Sequence, residues 1–373
     1  MKILSLFDGI SIAQQAFKEL GFEVEYYASE IDKYAIEITQ KNHPNTEQLG
    51  DIKDIDCTNG LLHYGKGRLA ETDIYFLIGG SPCQDLSIAK KNREGLNGKR
   101  SGLFWDYVRI LKDLKPKYFV LENVASMSKE AKQTITDTLW GIEPVMINAS
   151  LVSAQNRKRL FWIGKLTDKG HIVLVKNWEY EKVNISQPED KGILLKDILE
   201  ENVEEKYETK MNFEKRFDYT IHEKPYEKKA QGLRATDYKG THNMIRIGKI
   251  GKGEQGDRVY SPEGKSVALS ALGGGRGAKT GLYLTWGVAS RTRNGKKQIE
   301  HNGLEKANAM TGVQTDSMVD VGNVIRKLTP IECERLQSLP DNYTEGISNT
   351  QRYKTLGNGF NCAVIKHIIK NIF

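Results

Sequence analysis

Four groups of polar residues sit at the edges of short apolar runs, and their types could do chemistry. Residues 79–87 read GGSPCQDLS and follow the apolar run that begins at Ile74. A cysteine just past the carboxyl end of a strand lies where open α/β sheets keep their ligands. Gly79 and Gly80 let the backbone turn without a Cβ clash, and Pro82 stiffens the loop. Set among glycine, proline and polar neighbours, Cys83 reads as a nucleophile. Cys57, Cys333 and Cys362 fit the ordinary role of small core hydrophobes. The second group is Glu122-Asn123-Val124, again at the end of an apolar strand. Its carboxylate is either a general acid or base, or simply the acid ahead of a helix at 128–140.

The third group, Gln155-Asn156-Arg157-Lys158-Arg159, precedes Leu160-Phe161-Trp162-Ile163. Alternate residues of a strand face one side, so Arg157 and Arg159 could share a cleft; an ordinary basic turn is the alternative. The fourth is the turn LSLFDGIS (4–11), where Gly9 allows close approach of a ligand to the backbone. Glu30 ends the next strand, where an acid typically takes ribose hydroxyls, and Asp51 follows. Three polar points at successive strand ends suggest a nucleoside-cofactor site.

Such points need a sheet to hold them, and the first part of the chain supplies one. Lys2 to Phe7 is a strand-like run, and Ile12, Ala13, Ala16, Phe17 and Leu20 have helical spacing, stopped by Gly21. A strand at 24–28 and a helix at 34–41 follow, the latter ending before His43-Pro44. Residues 73–79 and 117–121 are short apolar runs bounded by breakers, the pattern of buried parallel strands. Between them Leu103, Trp105, Val108, Ile110, Leu111 and Leu114 mark an amphipathic helix. This alternation predicts a doubly wound α/β domain.

From about residue 176 the texture changes. Residues 179–230 are rich in Glu and Lys, which predicts a linker and irregular surface structure. Residues 245–283 are dense in glycine with short Val/Leu/Tyr runs, which predicts turn-rich β or loop structure. Lys249, Lys252, Arg258, Lys265, Arg276, Lys279, Arg291, Arg293, Lys296 and Lys297 populate 245–300. They form either a solvated loop face or a surface that contacts phosphates. Order returns at Thr329-Pro330-Ile331-Glu332, a capping box with proline at the first helical position. A last helix carries Val364, Ile365, Ile368, Ile369 and Ile372 on one stripe.

Composition narrows the class. The 373 residues carry a formal charge of +7, with 39% hydrophobic and 28% charged residues. This charge fits a nucleic-acid partner without requiring one. No apolar run approaches the ~20 residues of a membrane helix. The early acid Asp8 argues against a secretion signal, and four scattered cysteines argue against a disulfide framework, so a soluble cytoplasmic protein is expected. GKGEQG (251–256) satisfies a dinucleotide-loop pattern, but Pro262 and Gly264 stand where its helix should begin. GGGRGAKTG (273–281) fails as a P-loop because Ala278 replaces the glycine before Lys279. The histidines lack metal-ligand pairing, so no metal is expected.

Taken in order, these clusters resemble the DNA (cytosine-5)-methyltransferases of bacteria and phages, from residue 3 to about 370. LFDGIS (6–11) resembles the family's first cofactor motif, and Glu30 and Asp51 fall at its two acidic contacts. SPCQDLS (81–87) resembles the catalytic motif, ENV (122–124) the glutamate motif and QNRKR (155–159) the arginine motif. KLTPIECERLQSLPDNYT (327–344) resembles the late helix motif, and LGNGFNCAVI (356–365) the last cofactor motif. Two departures stand out. Asp8 occupies a place where many members have alanine, and GNG replaces the commoner GNS or GNA.

The resemblance implies a Rossmann-like class I methyltransferase domain over 1–175 and 326–373. A linker and a smaller, irregular β-rich target-recognition domain would span 176–325. It implies S-adenosylmethionine as cofactor, leaving as S-adenosylhomocysteine, with no metal. Cofactor contacts carried over are Phe7, Gly9, Ile10, Glu30, Ile31, Asp51, Ile52, Pro82, Leu103, Asn358 and Phe360. Cys83, Glu122, Arg157 and Arg159 carry the chemistry. Cys83 would add to C6 of a cytosine flipped out of double-stranded DNA, Glu122 would serve N3, and Arg159, with or without Arg157, would hold O2 and fix Glu122. The expected protein is a monomer. A restriction enzyme cutting the same site would act without forming a stable complex with it. Rival readings are a transfer-RNA methyltransferase and a non-catalytic DNA-binding module. A nicotinamide oxidoreductase fails for want of a dinucleotide loop after the first strand.

Overall fold

The computed structural model describes residues 1–57, 61–64, 68–71, 74–82, 102–167, 179–201, 203–204, 207, 246–249, 258–260, 266–267, 282–284, 287–293, 296–302, 325–326 and 328–373. Its centre is a twisted sheet. β1 (Lys2–Leu6) leads into α1 (Ile12–Glu19), β2 (Glu25–Ser29), α2 (Lys33–Asn42) and the short β3 (Glu47–Gln48). A hairpin of β4 (Leu61–Tyr64) and β5 (Arg68–Glu71) precedes β6 (Ile74–Gly80). Then come α3 (Leu103–Leu114), β7 (Tyr118–Val124), α4 (Lys129–Thr138), β8 (Val145–Asn148), β9 (Gln155–Asn156), β10 (Lys158–Leu166) and β11 (Tyr180–Lys182).

The strand order is β11-β10-β7-β6-β1-β2-β3, with β8 also on β10. β3, β2, β1, β6 and β7 run parallel, and β10 runs antiparallel to β7. The chain winds outward in both directions from β1, as expected from strand–helix alternation.

Register decides what meets what. Leu6 pairs with Ser29 on one side and Gly79 on the other, and Gly80 pairs with Glu122. The carboxyl ends of β1, β2, β6 and β7 therefore share one edge, where open α/β sheets bind ligands. Because β10 is antiparallel, its beginning reaches that edge too, with Arg159 opposite Val124.

Side chains alternate across the sheet. Ile3, Phe76, Ile78, Val120, Phe161 and Ile163 join α1 and α7 (Cys362–Ile372) on one face. Leu4, Leu6, Leu77, Phe119, Leu121 and Trp162 pack with α3 and α4 on the other. Period-two alternation with both faces covered explains why these strands read as unbroken apolar runs.

The segment from 179 departs from the surface structure expected of it. β11 pairs with β10, and Ile185, Leu195 and Ile198 are buried in the α1/α7 core. Arg335 Nη1 donates to the Ile198 carbonyl at 3.0 Å, and the Glu200 amide to Glu332 Oε1 at 2.9 Å. Three scattered apolar residues among Glu and Lys carry no period, yet tertiary packing recruits them.

Further on lie β12 (Arg246–Lys249), β13 (Arg258–Tyr260), β14 (Ser266–Val267), β15 (Leu282–Leu284), β16 (Gly287–Arg293), β17 (Lys296–Asn302) and β18 (Ile325–Arg326). β12-β13-β15-β18 form a small sheet, β16 and β17 a hairpin, and β14 pairs with β9. The β character expected of 245–283 is present in these strands. The rejected motifs at 251–256 and 273–281, with Lys252, Lys265, Arg276 and Lys279, lie outside the described residues.

The chain then returns to the sheet through α5 (Pro330–Leu336), α6 (Asn349–Asn358) and α7. The capping box forms as read: the Glu332 amide donates to Thr329 Oγ1 at 3.1 Å, and the Thr329 amide to Glu332 Oε2 at 2.8 Å.

Candidate active site

The turn after β1 is the first wall of the site. Phe7, Gly9 and Ser11 all have left-handed backbones, with φ of 58°, 65° and 54°. Such conformations in non-glycine residues persist only where surroundings hold them. Here a carboxylate sits underneath: Asp8 is buried and accepts from Tyr26 Oη at 2.8 Å and from Ser11 Oγ. Burial pushes the Asp8 carboxyl up to about 6, aided by the nearby charge of Glu30 and opposed by the hydroxyl donors. On the open side, Glu30 Oε2 accepts from the Gly9 amide at 2.8 Å. Glu30 Oε1 accepts from the amides of Ile31 and Asp32, each at 2.8 Å. Two acids thus brace one turn from opposite sides.

The space over this turn is open. A Cβ added at Gly9 would meet no heavy atom within 4 Å. Beside Glu30, Ile31 is 72% exposed, a large apolar face left open next to an acid. Asp51 caps the following turn, accepting from the Lys53 amide at 3.0 Å. Ile10 and Ile52 are buried in the two core layers. The Ile10 carbonyl accepts from Tyr343 Oη at 2.9 Å, and the Ile52 carbonyl from Arg109 Nη2 at 3.1 Å. Leu103 starts α3 and packs partly buried against the α3/α4 core.

The second wall is built by β6, β7 and β10. Arg159 Nε stands 2.7 Å from Glu122 Oε1, with side chains 19% and 13% exposed. Both line a cleft with Arg157, Phe161, Phe360 and Asn361. Gly80 sits tightly beside them, since a Cβ there would stand 3.0 Å from both Glu122 Oε2 and Phe360 Cε1. Asn123, to which the sequence alone assigns no role, is fully buried. Its Nδ2 donates to Ser81 Oγ at 3.1 Å, tying β7 to the start of the loop that carries Pro82. Cys83 itself lies outside the described residues. Cys57, Cys333 and Cys362 are free and buried, with burial pushing Cys57 and Cys362 up to about 12. Such thiols are inert, as expected of core residues.

The two arginines divide. Arg157 lines the cleft but its guanidinium is committed elsewhere: Nη2 donates to the Gly359 carbonyl at 2.8 Å and the Gly357 carbonyl at 3.2 Å. These carbonyls flank Asn358, so Arg157 reaches the end of α6 while Arg159 reaches Glu122. No feature of the local sequence could distinguish them, because the acceptors are backbone atoms 200 and 202 residues away. Among the described residues, no group of three or more His, Cys, Asp or Glu could hold a metal ion. No described helix is long and apolar enough to cross a membrane.

This sheet, with its braced turn and paired acid and arginine at one edge, is a Rossmann-like methyltransferase fold. Solved structures agree: an Entamoeba histolytica methyltransferase, EhMeth, superposes with a TM-score of 0.62 at 15% identity, covering 100% of this chain and 98% of that one. A mutant of Spodoptera frugiperda DNMT2 gives 0.56 at 19% identity, covering 100% and 99%. Residues 1–373 match the family described as C-5 cytosine-specific DNA methylase, and the chain belongs to it. Relatives include the orphan methyltransferase M.SPRI of Bacillus phage SPR, 29% identical over 100% of this chain and 97% of that protein. Another is the type II methyltransferase M.HhaI of Haemophilus parahaemolyticus, 28% identical over 100% and 94%. The protein is thus a DNA (cytosine-5)-methyltransferase by family.

Proposed function

We propose that the enzyme flips a cytosine out of double-stranded DNA and methylates its C5 through a covalent Cys83–C6 adduct. The observation that carries this reading is the Glu122–Arg159 pair at 2.7 Å, held beside Phe360 on the edge that also bears the turn after β1. S-adenosylmethionine, when bound, supplies an electrophilic methyl group and leaves as S-adenosylhomocysteine. Phe7, Gly9, Ile10, Glu30, Ile31, Asp51, Ile52, Pro82, Leu103, Asn358 and Phe360 would hold it. Phe7 would lie beside the adenine or sulfonium, Glu30 would take the ribose and Asp51 the adenine amine.

Cytosine C5 is a poor nucleophile. The Cys83 thiolate adds to C6, and the electron pair moves through the ring toward N3 and O2. Glu122 hydrogen-bonds N3 and the exocyclic amine and delivers a proton to N3. Arg159 fixes Glu122 and stabilises charge at O2. The enamine-like C5 then accepts the methyl group. Loss of the C5 proton and elimination of the thiolate restore aromaticity and free the enzyme.

Inside a duplex the ring faces are stacked, so the base must leave the helix at a cost of a few kcal/mol. The segment within 176–325 would offset that cost and read the sequence, with β14 pairing to β9 joining it to the strand that leads to Arg159. The enzyme acts as a cytoplasmic monomer, and any restriction enzyme sharing its site acts without a stable complex.

The test is methylation of unmodified plasmid with S-adenosylmethionine, read by conversion sequencing beside a Cys83→Ser control. Methyl groups at one recurring motif in the wild type alone support the proposal. Methylation retained by Cys83→Ala would sink the covalent mechanism. Unmethylated DNA with the cofactor still bound would point to RNA.

A further inference from the structure

We infer that Arg157 is a positioning residue for the cofactor, and that its role differs from that of Arg159 two residues along. The inference rests on the cofactor site as proposed above. α6 ends at Asn358, and carbonyls at a helix C-terminus lack intrahelical donors and carry the negative end of the dipole. A buried guanidinium answers both needs with charge-assisted bonds to Gly357 and Gly359.

The strut is itself anchored. The Arg157 amide donates to Asn148 Oδ1 at 3.0 Å, and its carbonyl accepts from the Ala149 amide at 3.0 Å. The far side of the loop is closed, since a Cβ at Gly359 would stand 2.6 Å from Ile12 Cδ1. Gln337 Nε2 holds the Leu356 carbonyl at 2.6 Å. The backbone from 356 to 359 is therefore clamped between Arg157, Gln337 and α1, the helix that follows the turn after β1. Asn358 and Phe360 flank Gly359, so the clamp sets where both present themselves to a cofactor.

Full-length wild type, Arg157→Lys, Arg157→Ala and Arg159→Lys are titrated with S-adenosylhomocysteine by calorimetry. Their steady-state rates on plasmid DNA are measured against S-adenosylmethionine. Arg157→Ala weakens binding and raises KM for the cofactor by about tenfold or more, the loss expected for hydrogen bonds from a charged donor. Arg157→Lys keeps the charge without the fork and recovers part of that loss. At saturating cofactor, kcat of Arg157→Lys stays within about threefold of wild type. Arg159→Lys shows the reverse, with binding within about twofold and kcat reduced.

Should the alanine variant fail to fold, the lysine variant decides, with thermal melting recorded for each. Folded Arg157 variants that bind the homocysteine product as wild type does would overturn the inference. A collapse of kcat without a change in binding would overturn it too, returning Arg157 to the base chemistry. Wild type that fails to bind S-adenosylhomocysteine overturns the reading of the site itself.

Discussion

The turn after β1 and the beginning of β10 lie on one sheet edge, yet opposite means hold them. At the turn, hydrogen bonds within the protein hold each polar group: Asp8 buried beneath, Glu30 half-buried on the amides above, and Ser11 Oγ 2.9 Å from Thr39 Oγ1. At β10 a single ion pair, Glu122–Arg159, remains partly open to solvent. A cofactor of fixed shape can meet a preorganised wall. A base that arrives from outside needs groups whose partners it can partly replace.

If that contrast is right, the largest effect belongs to the open side. Glu122→Gln keeps the shape and removes the ionisable proton, so turnover falls by about 10²–10⁴. Binding of S-adenosylhomocysteine stays as in wild type. A calorimetric loss of cofactor affinity in this variant would break the division between the walls.

Next comes Asp8→Asn, read as stability against pH. The folded carboxyl lies at about 6, above its ordinary 3.8. Its contribution is full below about pH 4 and is lost as pH rises through about 6. His43 runs the other way: burial, then the charge of Lys18, lowers it from 6.5 to about 4. Its contribution is present above 6.5 and lost as pH falls through about 4. His43 Nε2 lies 3.2 Å from Tyr343 Oη, which in turn donates to the Ile10 carbonyl, so both groups belong to the same wall. Their opposed slopes partly cancel in wild type. Asp8→Asn removes one, and denaturant unfolding should then show stability climbing by about 2 kcal/mol more between pH 4 and 6 than wild type does. Parallel profiles for the two proteins would refute the assignment.

A smaller effect is expected from Gly80→Ala. Its Cβ would press Glu122 and Phe360 at 3.0 Å, and turnover should drop by about tenfold with little change in melting. The smallest comes from Lys354→Met. The Lys354–Asp32 pair at 2.7 Å is half-exposed, so its loss should cost under about 1 kcal/mol in denaturant titrations.

The sequence made some of this legible and hid the rest for physical reasons. Buried strands announce themselves by composition, so β1, β6 and β7 were readable, and with them the edge that carries Gly9, Gly80 and Glu122. The cap at Thr329 was readable because both partners lie within four residues. Arg157 was placed with Arg159 because strand alternation is local, whereas its carbonyl acceptors are distant in the chain. Asp8 read as a departure from a pattern; its partner Tyr26 lies on the neighbouring strand, beyond any local period. Ile185, Leu195 and Ile198 went unread for the same reason, isolated among charges that disguise a core segment.

The Tyr343 hydroxyl that holds the Ile10 carbonyl spans 333 residues. That distance becomes a matter of timing when the protein is synthesised. The turn after β1 leaves the ribosome early, with Asp8, Tyr26 and Glu30 close behind to brace it, but its Tyr343 contact must wait for the intervening chain. Gly357 to Phe360 emerge later still, and α7 closes on α1 last, where Lys366 meets Glu19. A ribosome that stops upstream of residue 343 releases a polypeptide with Cys83 and Glu122 but without the partners that hold the Ile10 carbonyl and the Arg157 guanidinium.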